Sequence, residues 1–164
     1  MSADTIVNVA QFAWDIIKDG AAAAEIGNTT ANAVPQVDDW QSLTGTRGPN
    51  VQRMRYANHF YWPLDDYVHV EFEILLKWQF GARYRGGGAF IPNIWIEVPQ
   101  CFVGWPWNAN IGITTRNPTN ASNDANAPLA AVPVTIKGEV GSGAQLNHVE
   151  WGFTIFGNGH IEQH

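Results

Sequence analysis

The sequence predicts an all-β domain, mainly an antiparallel β-sandwich of jelly-roll type, carrying one N-terminal amphipathic α-helix. Three observations lead there. From Tyr67 onward the chain alternates: Val68, Val70, Phe72, Ile74, Leu76, Trp78 and Phe80 fall on one face. Tyr67, His69, Glu71, Glu73, Lys77 and Gln79 fall on the other, with Leu75 as the exception. Strict period-two alternation marks a strand with a core face and a solvent face. Sixteen Gly and nine Pro supply many turns, as a β-rich chain requires. Strong helical patterning occurs in one place only, near the N-terminus.

At 164 residues the chain fits a single domain spanning 1–164, enough to bury roughly two-thirds of its unfolded surface. Charged residues make up 15% of it, against about a quarter in an ordinary domain, so Asn, Gln, Thr, Ser and Gly fill much of the surface. The net charge of −6 disfavours nucleic acid, whose phosphates need a concentrated basic surface. Cys101 is the only cysteine, so no internal disulfide is expected. The start, MSADT, lacks a basic region leading into an apolar one, and no conventional signal peptide is expected. The chain reads as synthesised soluble and cytoplasmic; non-classical release is compatible with it.

Residues 5–19, TIVNVAQFAWDIIKD, form the predicted helix, with Asp4 or Thr5 as its cap and Gly20 at its end. Its apolar arc, including Phe12, Trp14, Ile16 and Ile17, is wider than a surface helix needs. It is therefore expected to lie on a sheet, on another subunit or in a membrane interface. Residues 21–50 are irregular. Val51 to Trp62 reads as a strand, with Met54, Tyr56, Phe60 and Trp62 on one face and Arg53, Arg55, Ala57 and His59 on the other. Pro63 to Asp66 turns the chain into the long alternating strand. Arg85-Gly86-Gly87-Gly88 is a hairpin tip. Ala89 to Val98 returns, with Pro92 signalling an edge or a bulge, and Pro99 ends that strand. Gln100 to Trp107 is strand plus loop, and 116–128 is a polar surface loop. Leu129 to Val140 and Gln145 to Phe156 form a hairpin, and Asn158-Gly159 turns into a short last strand.

Chemistry-bearing residues are sparse. His69, Glu71 and Glu73 share one strand face and could grip a metal ion, but Arg53 and Arg55 stand ready to oppose them across the sheet. No metal and no cofactor is expected. Glu71, Glu73, Glu97 and Glu150 could supply a hydrolytic pair, yet no spacing selects one. Cys101 sits in apolar VPQCFVG, the setting of a structural thiol.

The aromatics are more distinctive. Trp105-Pro106-Trp107 presents two indoles beside Asn108 and Asn110, and Tyr61-Trp62 repeats that character at another strand end. Rigid aromatic faces beside amides suit sugar rings and choline headgroups. The expected function is non-enzymatic surface recognition of a glycan or zwitterionic lipid headgroup, with homo-oligomerisation on a membrane in a toxin- or lectin-like way. That likeness is one of layout and involves no shared motif. The alternative is a self-assembling structural subunit that uses the N-terminal helix as its interface. A hydrolase comes third.

Overall fold

The computed structural model describes the backbone of residues 6–8, 15–18, 31–35, 43–62, 65–104, 107–142 and 145–164. Within these it describes the side chains of 34, 43–58, 70–104, 107–141 and 146–164. The fold is all-β, with two antiparallel sheets and no helix among the described residues. Accordingly, no helix there is long and apolar enough to cross a membrane.

The first sheet orders its main strands as β1 (Ile6–Asn8), β3 (Ala31–Pro35), β8 (Gly87–Val103), β6 (Asp65–Phe80) and β5 (Arg47–Trp62). Two short strands, β4 (Leu43–Thr44) and β7 (Ala82–Tyr84), attach beside β8. The second sheet runs β13 (Ile161–Gln163), β12 (Gln145–Phe156), β11 (Ala130–Ser142), β9 (Asn108–Thr115) and β2 (Asp15–Lys18), with β10 (Thr119–Asn120) beside β11. A jelly roll passes successive strands between sheets. Here β5, β6 and β8 stay in one sheet and β9, β11 and β12 in the other, so the expected jelly-roll topology is corrected: the long strands form two meanders. The cause is local: the two-residue connections β5–β6, β7–β8 and β11–β12 leave those strands nowhere to go but alongside each other, and among the long strands the chain changes sheet between β8 and β9. The β7–β8 turn shows it: Tyr84 faces Gly87, and Arg85 and Gly86 take φ of 50° and 76°, the paired positive values of a type I′ turn.

Alternation gives the core. Val70, Phe72, Ile74, Leu76 and Trp78 of β6 are all buried, as predicted, and meet Val132, Val134, Ile136, Phe153 and Ile155 of the second sheet in one cluster. Phe72 spans the two layers, stacked on Tyr56 with centroids 5.1 Å apart and edge-on to Trp151 at 6.4 Å. At one end main chain helps join the layers, Gly81 N–H donating to Gly157 O and Ala89 N–H to Pro128 O, and the Asn50 side chain adds Nδ2–H to Gly159 O at 2.8 Å.

Both prolines of β8 lie at irregularities. Between the pairs Ala31–Ile94 and Ala33–Ile91, β8 carries one extra residue at Pro92-Asn93. Between Glu73–Gln100 and Leu75–Glu97 it carries another at Val98-Pro99. Pro99 thus bends a continuous strand instead of ending it, consistent with proline's tolerance at bulges. The polar loop is organised by its own side chains: Asn120 Oδ1 accepts from Ser122 N–H and Leu129 N–H, both at 2.9 Å.

Most of the predicted helix, with Phe12 and Trp14, lies outside the described residues. Its two described pieces are strands. Ile6–Asn8 pairs with Ala33–Pro35, and Asp15–Lys18 pairs with Asn108–Ile111, setting Ile16 opposite Asn110 and Ile17 opposite Ala109. Ile and Val favour extended backbone when a neighbouring strand offers a ladder.

Candidate functional site

The outward face of the first sheet carries the densest polar chemistry among the described side chains. Register sets β5, β6 and β8 in rows: Val51, Lys77 and Trp95; Arg53, Leu75 and Glu97; Arg55, Glu73 and Gln100; Ala57, Glu71 and Phe102. Directly opposed side chains on one face lie close enough to interact. The predicted opposition of arginine and glutamate is realised here. Arg55 Nε donates to Glu73 Oε2 at 2.7 Å, and Arg53 Nη1 stands 3.6 Å from the same oxygen. Glu73 is the buried charged residue of the core region, and two guanidinium groups make that burial tolerable.

The Val98-Pro99 bulge separates the last two rows from the others and opens a recess of about 390 Å³. Arg55, Glu71, Glu73, Gln100, Cys101 and Phe102 line it. Phe102 is 52% exposed, which is costly for an aromatic ring that could have packed inward. Glu71 and Gln100 are exposed beside it. Burial pushes the Cys101 thiol above its ordinary pKa, so it is a protonated, weakly nucleophilic wall and not a reagent. Beyond the bulge, Lys77 Nζ meets Glu97 Oε2 at 2.7 Å and Trp95 Nε1 donates to Glu97 Oε1 at 3.1 Å. Lys77, then Trp95, hold the Glu97 carboxyl below its usual range.

The carboxylates considered for hydrolysis are thus dispersed. Glu71, Glu73 and Glu97 share this face, whereas Glu150 lies on the second sheet, 3.5 Å from Lys137. Among the described residues no group of three His, Cys, Asp or Glu could hold a metal; the side chain of His69 lies outside them.

The aromatic constellation is only partly described. The backbone brings its parts to one end of the molecule. Val70 pairs with Val103, β6 continues past that point to Asp65 opposite Trp62, and the 104–107 connection leads into Asn108 opposite Gly141. Trp105 and the side chains of Tyr61 and Trp62 lie outside the described residues. Trp107 is buried at 9% exposure and belongs to the core cluster, and its backbone N–H donates to Gly104 O at 2.8 Å. Asn108 is exposed. Asn110 Oδ1 is buried and accepts no hydrogen bond among the described residues. Trp107→Ala is therefore expected to cost about 3 kcal/mol of stability, read from the denaturant midpoint; an unchanged midpoint would show an indole free to serve a ligand.

Phe102 and Gln100 were not singled out from sequence, and Arg55 was read only as a charge partner of this face. The available signal was Pro99: read as a bulge, it carries the outward parity of Trp95 and Glu97 on to Gln100 and Phe102. No protein-family model matches the chain, no curated protein is significantly similar to it, and no solved structure matches its fold.

Proposed function

We propose that this protein is a non-enzymatic binding domain for glycans, and that the recess beside Phe102 is where a sugar docks. The supporting observation is an aromatic ring left half in water on a sheet face beside Glu71, Gln100 and Arg55. A pyranose presents an apolar C–H face to such a ring and hydroxyls to planar acceptors and donors around it. Arg55 is held by Glu73, so little side-chain freedom is lost when it engages a ligand. Trp95 lies six or so strand positions away on the same face, roughly 20 Å, which favours a chain of sugars over a single ring.

The same geometry weighs against hydrolysis, since a general acid must hold a proton. Glu97 is stabilised as the anion by Lys77, and Glu73 is engaged by two arginines. Choline recognition draws on several aromatic faces around one cation, whereas of the two phenylalanines lining this recess Phe72 is buried and Phe102 alone is exposed.

The test is a glycan array followed by isothermal titration of the best hit, with phosphatidylcholine vesicles in parallel. Phe102→Ala is expected to weaken glycan binding about tenfold or more, as loss of a stacked aromatic anchor does, while leaving the fold intact. Unchanged glycan affinity in Phe102→Ala would refute the site. Binding to vesicles alone would replace the ligand class.

A further inference from the structure

The recess beside Phe102 is unevenly charged. Among the described residues two carboxylates, Glu71 and Glu73, and one guanidinium, Arg55, line it. That guanidinium is already committed, since Arg55 Nε donates to Glu73 Oε2 at 2.7 Å. Arg53, the next cation along β5, turns to the same oxygen at 3.6 Å. Lys77 lies roughly 20 Å from Glu71 along β6 and is held by Glu97 at 2.7 Å. Glu71 is left as the carboxylate of this face with no described cation against it.

Its position matters as much as its charge. Glu71 is exposed and stands directly opposite Phe102 in the β6–β8 ladder, where side chains on one face start about 5 Å apart. A ring stacked on Phe102 therefore brings its edge substituents to the Glu71 carboxylate. The same ring covers that carboxylate and strips water from it. Neutral hydroxyls make up only part of this loss, because a charge taken out of water needs a charged partner to repay it.

We infer that the recess selects a cationic sugar: an amino sugar whose amine is free and protonated, as in oligomers of glucosamine. The inference rests on the glycan reading of this recess and narrows it. A ring-borne ammonium at Glu71 returns a charge-assisted hydrogen bond, about twice as strong as a neutral one. It brings three N–H donors to a group that only accepts, which the quaternary nitrogen of choline cannot do. The same carboxylate repels a uronic or sialic acid, and the two arginines that could receive one are drawn to Glu73. An N-acetylated sugar keeps the stacking on Phe102 but loses the ion pair. The net charge of −6 adds long-range attraction for a polycation.

The test is calorimetric titration of the full chain, at mildly acidic pH, with length-matched oligomers of glucosamine and of N-acetylglucosamine. The glucosamine oligomer is expected to bind about tenfold more tightly, the worth of one hydrogen bond to a charged group, and added salt should narrow that margin. Glu71→Gln should erase the margin, and Phe102→Ala should weaken the glucosamine oligomer as well. Circular dichroism confirms folding of each variant. Equal affinity for the two oligomers, with both lowered by Phe102→Ala, overturns the inference and leaves the glycan site standing. Two oligomers that bind but ignore Phe102→Ala remove the site itself. A glucosamine oligomer that does not bind also overturns the inference, as does a margin that survives Glu71→Gln. So does an oligolysine of equal charge that binds as tightly, because general attraction to an acidic protein then suffices.

Discussion

Gly157→Ala is expected to be the most destabilising alanine substitution among the described glycines. A Cβ at Gly157 would lie 2.0 Å from Ala89 O and 2.5 Å from the Ala89 carbonyl carbon. The obstacle is backbone and cannot rotate away. Relief requires the two layers to separate where Gly81 N–H donates to Gly157 O (2.7 Å), or the Gly157 turn to pull away from its own sheet, where Gly157 N–H donates to Ala130 O (2.8 Å). Each buried peptide group left without a partner costs about 1–3 kcal/mol, and the overlap adds strain. A loss of about 4 kcal/mol or more follows, seen as a collapse of the urea midpoint. Gly152→Ala is the control. Its nearest neighbour would be His164 Cβ at 3.6 Å, ordinary contact, and its midpoint is expected to stay within about 0.5 kcal/mol of the parent. Equal effects at the two glycines would show that strand glycine in general, and not this junction, sets the cost.

The second large effect is Phe72→Ala, for which we expect a loss of about 4 kcal/mol, or roughly 10 °C in Tm for a chain of this length. Phe72 is 1% exposed and touches both layers through Tyr56 and Trp151. Its reach depends on Gly138, where a Cβ would come within 3.2 Å of the Phe72 ring tip and 2.8 Å of Val149. Truncation therefore empties a space between the sheets that neither layer can collapse into without moving the other. Phe102→Ala, on the neighbouring strand, is expected to change stability by less than about 1 kcal/mol. Thermal melts of the pair separate a phenylalanine that holds the fold from one that waits for a ligand.

How far the sequence could be read depended on where its alternation ran unbroken. In β6 it did, and the burial of Val70, Phe72, Ile74, Leu76 and Trp78 agrees with it residue by residue, as does the pairing of Arg55 with Glu73. Single inserted residues ended that legibility. Between Asn58–Val70 and His59–Val68 the register slips by one, so Phe60 stands opposite Tyr67 and Trp62 opposite Asp65, although period two assigns those pairs to opposite faces. At Pro99 the same device hid Phe102, because a proline that looks like a strand end is here a bulge within one. Long-range partners were equally invisible. Lys18 pairs with Asn108 and Leu43 with Tyr84, contacts that no local pattern announces. Trp107 failed differently: Trp-Pro-Trp advertises a display motif, yet the chain spends at least this indole on closing the core.

The claim that this outward face is a ligand site is tested most directly by nuclear magnetic resonance. Amide shifts would be followed while the uniformly labelled protein is titrated with the best array-selected oligosaccharide. Saturable changes concentrated at Glu71, Glu73 and Gln100 to Phe102, fading toward Trp95 and absent from Phe102→Ala, are the predicted result. Changes centred on Tyr61, Trp62 and Asn108, with the recess silent, would contradict it and return the site to the aromatic end of the molecule.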